Sequence, residues 1–362
     1  AKPELLYCLG RAAMATGDYQ RAADALRSAV AAGFAPAFGY LAEALARLDR
    51  IDEALEAGLA GLRHSPANSQ SLLVVTRILV DRGEVDRLWA LCVELRACGA
   101  WGGWLPAVMA SAAAALGLED ELDLLVDRSR WFSATRLGVP DDFNDKLVAE
   151  LLEQRSRLSA NAKTSTTAVQ TRTDRLRLAA ESFLHKPAFQ VPPAKAGGGP
   201  PMRLDRLEHS GGPMAQELLI RVRDAVETYV ADRRVFSDHP MIAHCPASVA
   251  LAGWGLVVHH DRHQSWHIHQ IAWISGVYYV TVPKLEPDAG ERPGAIEFGL
   301  FPFGQQSQNL RSHRWQLIPE PGLLLLFPSY YAHRTWPTGT GDPRISVAFD
   351  IRPPEAAADE FS

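Results

Sequence analysis

With 362 residues, 47% hydrophobic and 22% charged, the chain has the make-up of an ordinary soluble protein and exceeds the usual size of one domain. Thirty-seven basic residues against 42 acidic ones give a net charge of −5, without the basic excess that nucleic-acid binding calls for. No apolar run is long enough to span a membrane, and Cys8, Cys92, Cys98 and Cys245 lack CxxC spacing, which suits a reduced, cytoplasmic setting.

The first 130 residues repeat. Gly17, Asp49, Gly83 and Gly117 recur at spacings of 32, 34 and 34 residues, each followed five residues later by Ala22, Ala54, Leu88 or Leu122. That period is expected of tetratricopeptide repeats, each a pair of helices with a small residue at the turn. The third and fourth units are degenerate, carrying Leu where a small residue is usual. A plain helical bundle is the simpler alternative, and Trp101, Trp104 and Trp131 read as core rather than as a peptide cage. The chain opens at Ala1 inside such a repeat, which suggests an N-terminal truncation.

Pro140-Asp-Asp-Phe143 reads as a helix start, with Phe143, Leu147, Leu151, Leu152 and Leu158 on one face. Residues 159–170 are polar, and the Pro/Gly run 191–201 suits neither helix nor central strand; both read as loops, with Arg172, Arg175 and Arg177 on a solvated face. A second helix is expected from Met214 to about Asp232. Short strand-like segments follow at Val249–His259, Ser265–Gln270, Ile274–Val282, Ala295–Leu300, Trp315–Ile318, Leu323–Phe327 and Ile345–Ile351. Such a series, punctuated by Gly and Pro, predicts a sandwich or barrel.

Eleven of the twelve histidines lie after residue 180, so the chemistry belongs to the second half. On a strand, His267 and His269 share a face, and two imidazoles aimed at one point suggest a metal. His333, after the apolar run Leu323–Phe327, is placed to supply another donor. Arg344 and Ser346 also share a face and offer a guanidinium and a hydroxyl to an anion.

His-x-His, Ser275-Gly-Val-Tyr-Tyr-Val280, Phe327-Pro-Ser-x-x-x-His333 and Arg344-Ile-Ser-Val-Ala-Phe-Asp350, in this order, resemble the 2-oxoglutarate/iron(II) oxygenases of the double-stranded β-helix fold. The resemblance covers roughly residues 236–352. It implies iron(II) as metal, 2-oxoglutarate as cosubstrate, and catalytic metal ligation by His267 and His333. Arg344 would bind the far carboxylate of 2-oxoglutarate with Ser346 and Tyr279 as helpers, while Tyr278 points the other way and packs. Oxygenases of this superfamily usually carry Asp or Glu two residues after the first histidine. Here that place is His269, which either ligates as a third neutral donor or stands beside the metal, holding a water or meeting a substrate carboxylate. Glu297 and Asp261 are the carboxylates nearest to hand as substitutes. The cluster His259–His263 reads as a loop at the barrel mouth, and the plain alternative for Arg344 is an ion pair with Asp350 or Asp342.

The expected architecture is therefore multidomain α + β. Residues 1–135 form an all-α tetratricopeptide-like domain, 136–205 a connecting helix and loops, and 206–355 a double-stranded β-helix, or jelly-roll, oxygenase domain. The function expected is hydroxylation of a peptide or protein docked by the helical repeats, with no nucleic-acid or membrane partner and with self-association as another use of the array. The rivals are a non-catalytic repeat adaptor with a degenerate barrel and a three-histidine dioxygenase that does not use 2-oxoglutarate.

Overall fold

The computed structural model describes residues 2–164, 202–259, 263–284, 293–301, 303, 313–339 and 342–354. The stretches at 165–170 and 191–201, with Arg172, Arg175, Arg177, His260 and Asp261, lie outside the described residues. Residues 2–125 and Phe303 belong to one compact unit, and the remaining described residues to a second.

The first unit is helical: α1 (Pro3–Thr16), α2 (Tyr19–Ala31), α3 (Ala37–Arg47), α4 (Ile51–His64), α5 (Ser69–Asp81), α6 (Val85–Ala97), α7 (Leu105–Leu116) and α8 (Glu119–Val126). The four recurring turn positions all adopt left-handed backbone, with φ of 77° at Gly17, 62° at Asp49, 73° at Gly83 and 69° at Gly117. That region costs glycine nothing and is tolerated by the short polar side chain of Asp49. Asp18 then starts α2 by accepting a hydrogen bond from the Arg21 N–H, and Asn68 starts α5 through the Ser71 N–H. The second recurring set, Ala22, Ala54, Leu88 and Leu122, is buried throughout.

The second unit is built on two antiparallel sheets. Its strands are β1 (Ser133–Arg136), β2 (Met202–Leu204), β3 (Ala250–Val258), β4 (Ile274–Thr281), β5 (Ile296–Gly299), β6 (Trp315–Leu317), β7 (Leu323–Pro328), β8 (Ala332–Thr335) and β9 (Arg344–Arg352). Six run in the order β1-β7-β4-β9-β3-β2 and three in the order β6-β5-β8. Between the sheets lies a pocket lined by side chains of both.

Helix α9 (Arg128–Trp131) precedes β1, and α10 (Phe143–Thr164), α11 (Leu207–Ser210), α12 (Pro213–Arg233) and α13 (Pro240–Ala243) also belong to this unit. The outer face of the large sheet is covered by α10, α11 and α12, with Leu151 over Gly255 and with Leu207 and Leu219 over Gly253. Tyr278 points outward and donates to Asn144 Oδ1 at 2.7 Å, so its neighbour Tyr279 points into the pocket. Glu150 of α10 accepts from the Met214 and Ala215 N–H groups at 2.9 Å, tying the start of α12 to α10.

Three expectations need correction. Helix α10 runs to Thr164 rather than yielding to a loop at 159, because no Pro or Gly interrupts Ser159–Thr164. The segment Ser265–Gln270 is no regular strand; it meets the sheet through a single bridge, His267 to His333. Strands β1, β2 and β8 are too short and too polar to show a period in the sequence, and they form because a partner strand waits for each.

Gly276 lies where β4 runs between β7 and β9. A Cβ there would stand 2.4 Å from Phe349 Cζ and 2.5 Å from the Leu325 carbonyl oxygen. Because one of these is backbone of the paired strand, Gly276→Ala should force β4 from β7 and cost about 1–3 kcal/mol. A urea melt of the metal-free variant would show it as a lowered midpoint with an unchanged slope.

Candidate functional site

Three imidazoles converge at one end of the pocket. His267 and His333 exchange backbone hydrogen bonds at 3.0 Å in both directions, and the His269 N–H donates to the Ser329 carbonyl at 2.9 Å. These bonds pin the extended His-x-His segment beside β7 and β8 and do the work expected of a strand. One ring nitrogen from each of His267, His269 and His333 lies within 4.8 Å of the others, a group that could hold a metal ion.

The second nitrogens are all engaged. His267 Nδ1 lies 2.7 Å from the Ser265 carbonyl oxygen, His333 Nδ1 lies 2.9 Å from that of Tyr331, and His269 Nδ1 lies 2.8 Å from Asp350 Oδ1. An oxygen acceptor at Nδ1 requires the proton there, which leaves a lone pair on each Nε2. Burial and the neighbouring His269 push the pKa of His333 down to about 3 against the lift from its Tyr331 bond, so its ring is neutral at ordinary pH. In their neutral form the three rings thus present Nε2 donors with tautomers set in advance.

At the other end of β9 lies Arg344. It is 2% exposed, its Nη1 donates to the Gly294 carbonyl at 2.8 Å, and its Nε has no partner among the described residues. The ion pair with Asp350 considered from the sequence does not form, for Asp350 faces His269 and Arg352. Tyr279 and Ser346 line the same pocket and are paired across β4 and β9. Burial pushes the Tyr279 phenol up to about 12 in spite of the nearby guanidinium, so it remains a donor. A buried cation, a phenol and a hydroxyl on one wall could together receive a carboxylate. The cleft, about 500 Å³ including its open mouth, runs between this receptor and the histidines.

Of the substitute carboxylates, Glu297 is turned away. It accepts from Arg334 Nε at 2.6 Å and Trp336 Nε1 at 3.0 Å, while its neighbour Phe298 faces His333. The carboxylate that does reach the cluster is Asp350, which the sequence reading treated only as a partner for Arg344. Its signal was there: Arg344, Ser346, Ala348 and Asp350 are alternate residues of one strand. Burial alone would raise the Asp350 pKa, but His269, Arg352 and the Ser275 hydroxyl outweigh it and hold the carboxyl well below its usual range. Trp254, stacked on His269 at 5.8 Å with the Arg203 guanidinium 4.3 Å over its ring, is a second pocket residue that sequence reasoning missed.

Residues 252–350 match the profile of the family described as "Putative 2OG-Fe(II) oxygenase". This segment is an oxygenase-family domain. The family match and the three-histidine cluster give iron(II) and 2-oxoglutarate as its metal and cosubstrate, and the residues fit: imidazoles suit iron, and the buried Arg344 guanidinium suits a dicarboxylate. No curated protein matches the chain by sequence.

Among solved structures, the chain is similar to a Pseudomonas putida prolyl-4-hydroxylase, with 13% identity, 66% of this chain and 98% of that one covered, and a TM-score of 0.37. It is also similar to AviO1 from Streptomyces viridochromogenes Tue57 (15% identity, 63% and 93% covered, TM-score 0.36). A third is HygX from Streptomyces hygroscopicus, solved with nickel and 2-oxoglutarate bound (12% identity, 64% and 86% covered, TM-score 0.32). At these scores the likenesses add nothing about the reaction.

The lowered pKa of His333 has a consequence for the metal-free protein. In the unfolded chain this histidine takes a proton near pH 6.5, and in the folded one only near 3. Its contribution to stability is therefore present above pH 6.5 and is lost as the pH falls from there toward 3. Between pH 7.5 and 5 the loss should be about 2 kcal/mol. Denaturant melts of the metal-free protein and of His333→Gln at both pH values would check it, with the smaller drop expected in the variant.

Proposed function

We propose that the chain is an iron(II)- and 2-oxoglutarate-dependent dioxygenase that hydroxylates a peptide or protein substrate, with a double-stranded β-helix catalytic domain and tetratricopeptide-like repeats that dock the substrate. The observation that carries the reading is the pairing, in one cleft, of three preset imidazoles with a buried arginine whose Nε–H is unsatisfied among the described residues. His267, His269 and His333 hold the metal through Nε2. Arg344 takes the far carboxylate of 2-oxoglutarate as a charge-assisted hydrogen-bond donor, and Tyr279 and Ser346 complete its donors. When bound, iron, 2-oxoglutarate and dioxygen supply the oxidant, with loss of carbon dioxide from the cosubstrate.

The protein's own part is to fix and shield. Trp254, Leu256, Val258, Val277 and Phe327 line the cleft and limit water around the reacting groups. The protonated Tyr279 donates to a carboxylate without adding a second negative charge. Free cysteines at all four positions accord with the cytoplasmic setting, and no helix among the described residues is long and apolar enough to cross a membrane.

The three-histidine set itself favours one rival, a dioxygenase that does not use 2-oxoglutarate. Anaerobic titration with iron(II) and then 2-oxoglutarate, read by visible absorption, separates the two; the proposal requires a new band that depends on both. Arg344→Ala should weaken 2-oxoglutarate by about one to two orders of magnitude, the loss of one charged hydrogen-bonded pair. Arg344→Lys should also suffer, because an ammonium cannot reproduce the planar fork. Unchanged 2-oxoglutarate dependence in both variants would favour the rival.

Iron itself should be lost from His267→Ala and His333→Ala, measured as metal content after gel filtration. Full occupancy in His333→Ala would show that the metal lies elsewhere.

A further inference from the structure

The three imidazoles are not held alike. His267 and His333 give their Nδ1 protons to neutral backbone carbonyls, whereas His269 gives its proton to the carboxylate of Asp350. That carboxylate is 2% exposed and held on both oxygens. Oδ1 accepts from His269 at 2.8 Å and from the Ser275 hydroxyl at 2.7 Å, and Oδ2 accepts from Arg352 Nη2 at 3.1 Å. Its donors come from the His-x-His segment, from β4 and from β9 itself, so Asp350 sits where three parts of the domain meet. The His269 ring is also fixed in plane, parallel to His333 at 5.3 Å and stacked on Trp254 at 5.8 Å.

The position of His269 in the chain gives this asymmetry its meaning. It stands two residues after the first histidine, where oxygenases of the resembled superfamily usually place a carboxylate. Here the carboxylate has moved one imidazole farther from the metal. A histidine that shares its Nδ1 proton with a carboxylate is a stronger electron donor at Nε2 than one bonded to a carbonyl.

We propose that Asp350 is a positioning residue for the iron site, acting through His269 to orient the third imidazole and to supply the negative charge that a directly ligating carboxylate would bring. The inference rests on the iron and 2-oxoglutarate reading above. Asp350 touches neither metal nor substrate; its effect passes along the hydrogen bond to His269 Nδ1. Arg352 and Ser275 serve to keep the carboxylate in place.

Asp350→Asn keeps the shape and an oxygen acceptor but removes the charge. Iron(II) affinity, measured anaerobically on the full chain, should fall by about 10- to 100-fold. The visible band of the iron and 2-oxoglutarate complex should shift with it, because the donor strength of a ligand has changed. Metal-free melts of both proteins report whether the variant is folded.

A double-mutant cycle separates this role from a structural one. In a His269→Asp background a carboxylate replaces the imidazole, and Asp350 becomes a second buried negative charge facing it. There, Asp350→Asn should leave iron affinity unchanged or raise it, the reverse of its effect in the natural sequence. Equal weakening in both backgrounds would overturn the proposal and make Asp350 a structural residue.

Should Asp350→Asn fail to fold, Ser275→Ala carries the test, since it removes one restraint on the carboxylate while leaving its charge. A fall in iron affinity of about threefold to tenfold is then expected, and no change would overturn the proposal. Failure of the natural protein to bind iron would overturn the oxygenase reading and this inference with it. Iron binding indifferent to Asp350 would overturn this inference alone.

Discussion

The two-residue period of β9, clamped between β3 and β4, is the constraint on which the site depends. Nine consecutive residues from Arg344 to Arg352 pair in register with Val258 back to Ala250, so the strand cannot slip by one without turning every side chain over. One face delivers Arg344, Ser346 and Ala348 to the cleft and Asp350 to the back of His269. The other delivers Ile345, Val347, Phe349 and Ile351 to the apolar layer. The proposed anion receptor and the Asp350 partner of His269 thus sit at opposite ends of one stiff rod, and their separation is set by backbone geometry rather than by flexible loops.

Burying an arginine, an aspartate and a histidine in one small cavity opposes folding, and the domain offsets this by close packing around them. Phe298 stacks on Trp315 at 4.4 Å and meets Phe327 at 4.9 Å, with His333 wedged beside both. Each polar group also has part of its bonding supplied by the protein. Asp350 is partnered on both oxygens, His333 is tied to Tyr331, and Arg344 keeps one bond to Gly294 while its Nε–H is unsatisfied among the described residues. That incompleteness falls where a ligand would relieve it.

How much of this was legible in the sequence varied with the length of the pattern. The recurring turn positions of the helical unit stood out because left-handed backbone admits few residue types, and all four take it. The long strands β3, β4, β7 and β9 and the helix α12 were visible from runs of apolar periodicity. Strands β1, β2 and β8 were not, since three or four residues cannot show a period and their pairing is decided by distant partners. At the site, types and spacing pointed to His267, His269, His333, Arg344 and Ser346, the family resemblance added Tyr279, and the structure brings all six to one cleft. The role of Asp350 was not legible from charge, which suggested Arg344 on the same strand face; their separation along β9 sets the two apart and brings Asp350 to His269 and Arg352 instead. Glu297, the carboxylate the sequence offered instead, lies on the face of β5 that turns to Arg334 and Trp336.

The large sheet ends on strands drawn from outside its continuous run. One edge is β1, paired along β7, and the other is β2, paired with the end of β3. Both lie upstream of residue 206, so a fragment beginning there would carry the pocket yet present two rows of unpaired backbone amides and carbonyls to solvent. Such open borders invite strand exchange between copies. The short strands at the margins therefore act as selvedges, and a protein cut inside them should fray into aggregates before its chemistry could be read.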